Sequence, residues 1–174
     1  MDFQNEMSSA GFKDEYTFSS AFADAFIFLF EYVQTNGEID NVLSDLKKAS
    51  SENINLVSLF RHLSKICKVA QKPVVLIIDE VDSASNNQVF LDFLAQLRGS
   101  YLRRNKFPTF QSVILAGVHD IRNLQLKIRP DSEHKHNSPW NIANALEVDM
   151  SFSPSDIEGM LSEYESDHHT GMDI

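Results

Sequence analysis

The sequence predicts an α/β domain, a mostly parallel sheet flanked by helices. Three observations predict it. Two short runs, Val74–Asp79 and Ser112–Gly117, are almost wholly apolar, as strands buried on both faces of a parallel sheet are. Apolar residues at helical spacing occupy the stretches before, between and after them. Helices that alternate with buried strands belong to a sheet covered by helices.

The elements follow in order. Residues 1–15 are polar and irregular, with Ser8, Ser9 and Gly11 as breakers. Thr17 is placed to cap a helix from Phe18, in which Phe18, Phe22, Phe26 and Phe30 recur every four residues. Asn36-Gly37 reads as its end, because that pair accepts positive φ. Ile39, Val42, Leu43 and Leu46 suggest a short helix, and Ser50-Ser51 a loop. Asn53 reads as the cap of a third helix, from Leu56 to Cys67, that ends near Gln71-Lys72-Pro73. The first strand follows. Ser83–Gln88 is a polar loop, and Val89–Arg104 a helix with Phe90, Phe93, Leu94, Leu97 and Tyr101 inward.

Pro108 separates that helix from the second strand. Arg129–Asn141 reads as a long surface loop. Leu146, Val148, Met150 and Phe152 alternate with polar residues, as in a strand with one exposed face. Ser153-Pro154-Ser155-Asp156 is a helix start: cap, proline in the first turn, then an acid. Two parts are expected, a core over 1–152 and the start of a helical segment over 153–174.

Composition narrows the function. The chain has 174 residues, 43% apolar and 23% charged, enough for one domain with a core. Its net charge of −10 argues against nonspecific binding to nucleic acid or anionic lipid, although it leaves room for a local basic patch. One cysteine, Cys67, excludes an internal disulfide and fits a reducing compartment. Its helical apolar context reads as a packed thiol. No signal peptide and no apolar run long enough to span a bilayer is visible. A cytoplasmic location without membrane contact is the expectation.

Chemistry concentrates where the first strand ends. Val74-Val75-Leu76-Ile77-Ile78-Asp79-Glu80 is an apolar strand closed by two carboxylates, the form of a Walker B strand. Ligands of open α/β sheets bind beyond the carboxyl ends of the strands. Successive strand residues point to opposite sides, so the two acids divide the labour. In a P-loop ATPase the first orients Mg²⁺ and the second polarises the attacking water. Asp82 adds a third acid. The second strand leads to His119 and Asp120, where a γ-phosphate sensor would lie. The phosphate-cradling Gly-x-x-x-x-Gly-Lys-[Ser/Thr] occurs nowhere in the chain.

Four segments carry a family resemblance: Lys72–Asp82, Phe110–Val118, Asn137-Ser138-Pro139-Trp140-Asn141-Ile142-Ala143, and Tyr164–Asp173. With them the chain resembles the bacterial AAA-like ATPases, relatives of the STAND branch of P-loop NTPases, over essentially its whole length. The resemblance implies a 5-1-4-3-2 sheet. In it Asp2-Phe3-Gln4 would be the tail of strand 2, Val74–Asp79 strand 3, Val113–Gly117 strand 4 and Leu146–Met150 strand 5. Strand 1 and the Walker A loop would precede Met1, and the helices after Ser153 would begin a lid. It implies Mg²⁺ and ATP as cofactors of the intact protein, with Asp79 on the metal, Glu80 as the base, and His119 or Asp120 at the nucleotide. Without Walker A, catalysis by this chain alone is not expected. The exposed sheet edges would invite self-association or a protein partner.

Other patterns point elsewhere or nowhere. Among the six histidines no pair has zinc-site spacing beside a glutamate, and Gly-x-Ser-x-Gly is absent. Arg98, Arg103, Arg104, Lys106, Arg122, Lys127 and Arg129 make a basic middle that reads as solvated helix face. Trp140, beside Pro139, reads as a loop anchor in the core, with a partner contact as the alternative. Two other functions remain open: a nonenzymatic interaction module, and a Mg²⁺-dependent nuclease or phosphatase built on Asp79, Glu80 and Asp82.

Overall fold

A cluster of phenylalanines sets where the core lies. The computed structural model describes residues 1–7, 9–84, 87–117, 144 and 151–171. Two compact units separate along the chain, Met1–Ile142 and Ala143–Ile174. In the first, α1 (Phe3–Glu6) and a 3-10 turn (Ser9–Phe12) lead into α2 (Glu15–Phe28). Phe18, Phe22 and Phe26 are buried at four-residue spacing on α2. Phe18 and Phe22 meet Phe3 and Phe93, with the Phe22 and Phe93 rings 4.8 Å apart, and Phe26 meets Phe110. Such pairs add about 0.5–1.5 kcal/mol beyond the area they bury.

The caps differ from the sequence expectation in instructive ways. Asp14, not Thr17, caps α2: its carboxylate accepts from Thr17 N at 2.8 Å and from Thr17 Oγ1 at 3.0 Å. These bonds hold the Asp14 carboxyl below its ordinary value. The helix stops at Phe28, although its apolar pattern runs on through Leu29, Phe30 and Val33. Asn36 therefore does not end α2. It starts α3 (Gly37–Ser51), its side chain accepting from Ile39 N at 2.9 Å. Ser50 and Ser51 are helical, and Ser50 Oγ donates to Asp24 of α2 at 2.9 Å. Asn55 caps α4 (Leu56–Val69), while Asn53 takes a left-handed φ of 63°, which asparagine tolerates.

α4 buries Leu56, Leu59, Phe60, Leu63 and Ile66 and stops short of Pro73. Strand β1 (Val75–Ile78) follows, then a 3-10 turn (Val81–Ala84), α5 (Gln88–Leu102) and β2 (Ser112–Leu115). The two strands pair in parallel, Val75 opposite Ser112 and Ile78 opposite Leu115. On α5 the expected Phe90, Phe93, Leu94 and Leu97 are buried.

The expected fold class is overturned here. A mostly parallel sheet flanked by helices, in the form of a P-loop core of the AAA-like kind, is not what the chain builds. Among the described residues helices predominate, and the sheet has two strands. Nor are the strands buried on both faces. Leu76 and Ile78 are buried, whereas Val75 (46%), Ile77 (52%) and Ile114 (48%) stay exposed. β-Branched side chains suit a pleated strand whether or not a second layer covers them. A continuous apolar run therefore marks a strand without giving the number of layers.

Asp2 makes an isolated parallel bridge to Asp79, and from Phe3 the chain is already helical, so the expected strand tail at Asp2-Phe3-Gln4 is a single residue. The expected strand Leu146–Met150, the 129–141 loop and the segment from Asn137 to Ala143 lie outside the described residues.

In the second unit, α6 (Pro154–His168) begins where expected. Ser153 and Asp156 form a reciprocal capping box with Pro154 in the first turn. None of its side chains is buried, and the stripe of Ile157, Met160, Leu161 and Tyr164 is exposed. The lid reading falls with the core it was meant to cover.

Candidate functional site

The acidic pair sits where β1 leaves the sheet, held by backbone on both sides. Asp79 N donates to the Met1 carbonyl at 2.9 Å, and Phe3 N donates to the Asp79 carbonyl at 3.1 Å. On the other edge of β1, Ala116 N donates to Ile78 O at 2.9 Å and Val81 N to Ala116 O at 3.1 Å. Residues 1–3 and 116 thus flank the end of β1 from its two edges. Val81, fully buried, returns the chain to the core.

Between these anchors the chain kinks at Glu80. Its φ of 54° is left-handed, which a residue with a long side chain rarely adopts. Conformations of this kind cost about 1–3 kcal/mol and persist where the surroundings enforce them. The enforcement is visible: Asp79 is hydrogen-bonded before the kink, Val81 after it, and Asp79 Oδ1 accepts from Glu80 N at 2.9 Å. The Asp79 side chain is exposed and Glu80 is half-buried. No glycine flags this kink in the sequence, so it was not legible there.

The described residues do not include every expected site residue. His119 and Asp120 lie outside the described residues, as do His134, His136 and Trp140. Asp82 falls in the 3-10 turn that follows. Among the described residues no group of three or more His, Cys, Asp or Glu could hold a metal ion. An exposed carboxylate such as Asp79 fits Mg²⁺ as a single protein ligand, since that ion keeps most of its waters. ATP fits less well. The sequence supplies no glycine-rich loop or lysine to hold its phosphates, so no hydrolytic step is derived through it.

Sequence reasoning also missed an apolar groove beside the strands. Met1, Leu29, Phe30, Val33, Val75 and Ile77 border a hollow of about 300 Å³ along the exposed side of β1. The overrun of the α2 pattern past Phe28 was its signal. Cys67 is half-buried, and burial pushes its thiol up to about 11, so it is not a poised nucleophile.

The chain matches no family model, no curated protein and no solved structure.

Proposed function

We propose that this chain contributes the metal- and water-handling carboxylates of an ATP-hydrolysing unit. Asp79 is the Mg²⁺ ligand and Glu80 the base, and phosphate is held by groups this sequence does not contain. One observation carries the reading: the Asp79-Glu80 pair stands at the carboxyl end of a parallel strand, on a backbone kink fixed from both edges. Mg²⁺, when bound, would neutralise phosphate charge there. The chain itself orients Asp79 outward and holds Glu80 in place.

The test uses Mn²⁺ as a paramagnetic stand-in and a fluorescent ATP analogue. Mn²⁺ should broaden the amide signals of Glu80 and Gly117, and Asp79→Asn should abolish that. Nucleotide binding by the chain alone should stay weaker than about 1 mM. Micromolar ATP binding, or Mn²⁺ broadening that survives Asp79→Asn, would refute the assignment.

A second reading, a nonenzymatic interaction module, is favoured by the bare apolar face of Val75, Ile77 and Ile114. Exposed apolar sheet surface of this kind promotes association. On that reading the chain self-associates in sedimentation experiments, and Val75→Lys with Ile77→Lys returns it to monomer while its helical circular dichroism is kept.

A further inference from the structure

Charge in this chain is segregated, and the fold gathers one sign at one end. Residues 53–78 carry Arg61, Lys65, Lys68 and Lys72; residues 93–117 carry Arg98, Arg103, Arg104 and Lys106; neither stretch holds an aspartate or glutamate. These are eight of the 15 basic residues, and all 25 acids lie elsewhere. The two stretches are separated in sequence by Asp79, Glu80, Asp82 and Asp92.

The structure joins them, through the pairing of β1 with β2 and through a contact from α4. The Ser64 hydroxyl of α4 donates to the Pro108 carbonyl at 2.6 Å. Beside this link a cleft of about 540 Å³ opens, bordered by Gln71 and Lys72 on one side and Arg104, Asn105 and Gln111 on the other. Lys68 follows Ser64 one turn along the same face of α4. Arg103 and Lys106 are exposed next to Arg104. The cluster lies where the strands begin, at the opposite end of β1 from Asp79.

Two details distinguish it from a solvated helix face. Arg104 is held: its guanidinium lies 3.9 Å over the Tyr101 ring, and Nη1 donates to the Tyr101 carbonyl at 3.0 Å. A pre-positioned arginine loses less freedom on binding. Two large apolar side chains, Leu102 (54%) and Phe107 (58%), are exposed among the cations. The helix dipole favours a cation in the last turn and so accounts for Lys68. It does not account for Lys72 or Lys106, which lie beyond the helix ends.

We propose that this basic cleft binds a short acidic, amphipathic segment of a partner protein. Its carboxylates pair with Lys68, Lys72, Arg104 and Lys106, and its apolar side chains cover Leu102 and Phe107. A protein segment fits better than a nucleic acid. A nucleic acid strand carries about one charge per 3.4 Å along its whole length. Outside the two acid-free stretches the chain carries 25 acids and seven basic residues, a composition that disfavours further phosphates. A peptide's charge ends where the cleft ends, and apolar anchors within a polar rim are the anatomy of protein interfaces.

The test is fluorescence anisotropy on the full chain with three fluorescein-labelled probes of equal length: a synthetic glutamate–leucine peptide, polyglutamate and oligothymidylate. Saturable binding of the glutamate–leucine peptide is expected, stronger than that of polyglutamate, and weakening between about 0.05 and 0.5 M salt. Arg104→Glu with Lys106→Glu should weaken it by at least about tenfold, while Lys47→Glu with Lys48→Glu, the same charge change on α3, changes it by less than about twofold. Phe107→Ser, which keeps every charge, should reduce the glutamate–leucine peptide to the polyglutamate level. Circular dichroism establishes that each variant is folded. The proposal is overturned by no saturable binding to the wild-type chain, by equal losses in the two double variants, or by tighter binding of oligothymidylate than of either peptide.

Discussion

The two sides of β1 carry the same kinds of residue and have opposite fates. Leu76 and Ile78 are packed into the phenylalanine-rich core, while Val75 and Ile77 face outward beside Ile114. Side-chain chemistry does not separate the pairs; position in the pleat does. Stability in this sheet therefore belongs to one face. The other face is free for contact, at the cost of exposed apolar surface.

The largest expected effect tests that division directly. Ile78→Ala should cost about 2–5 kcal/mol in urea unfolding, and Ile77→Ala less than about 1 kcal/mol. Equal losses would mean that something covers the outer face in solution. A smaller effect sharpens the comparison where the strand ends. Glu80→Gly should raise stability by about 1 kcal/mol, because glycine accepts the left-handed backbone without strain. A loss would show that the Glu80 side chain holds the kink more strongly than the backbone resists it.

A third test is set by pH and lies in α4, within the covered layer. Burial raises the Cys67 thiol from 9.0 to about 11. Below the unfolded value both states carry the neutral thiol, and its contribution is complete. As pH rises past 9.0 the unfolded chain ionises first, so stability is lost on the way to about 11. Urea midpoints of the wild-type chain should therefore fall over that window, and those of Cys67→Ala should fall less. An identical decline in both would assign it to other groups.

Local signals in the sequence were legible where one residue type had one job. The strand at Val75–Ile78, the inward set on α5 and the Ser153–Asp156 helix start were all readable for that reason. Asparagine has several jobs, and it misled twice. Asn36 starts a helix although its pairing with Gly37 suits a helix end, and Asn55 takes the cap expected of Asn53. The apolar face of α2 outlasts the helix because Leu29, Phe30 and Val33 serve the groove beside β1 rather than another turn. At the candidate site, the place of Asp79 and Glu80 at a strand end was readable. The kink was not, because it is imposed by hydrogen bonds from residues 1–3 and 116. The acid-free stretches were present in the sequence all along, but it takes the pairing of β1 with β2 and the Ser64–Pro108 link to bring the two together.

The two ends of α6 have a consequence of their own. Its start is closed by the Ser153–Asp156 box, and beyond its end the Glu165 carboxylate accepts from Thr170 N at 2.9 Å and from Gly171 N. The helix is thus fastened at both ends by its own neighbours, while no side chain along it is buried. With caps at its ends but no buried side chain to couple it to a core, the helix melts gradually and not as a single event. Heating should accordingly give two signals. Helical circular dichroism would begin to decline early and broadly, while the near-ultraviolet signal of the packed phenylalanines holds until one sharp transition.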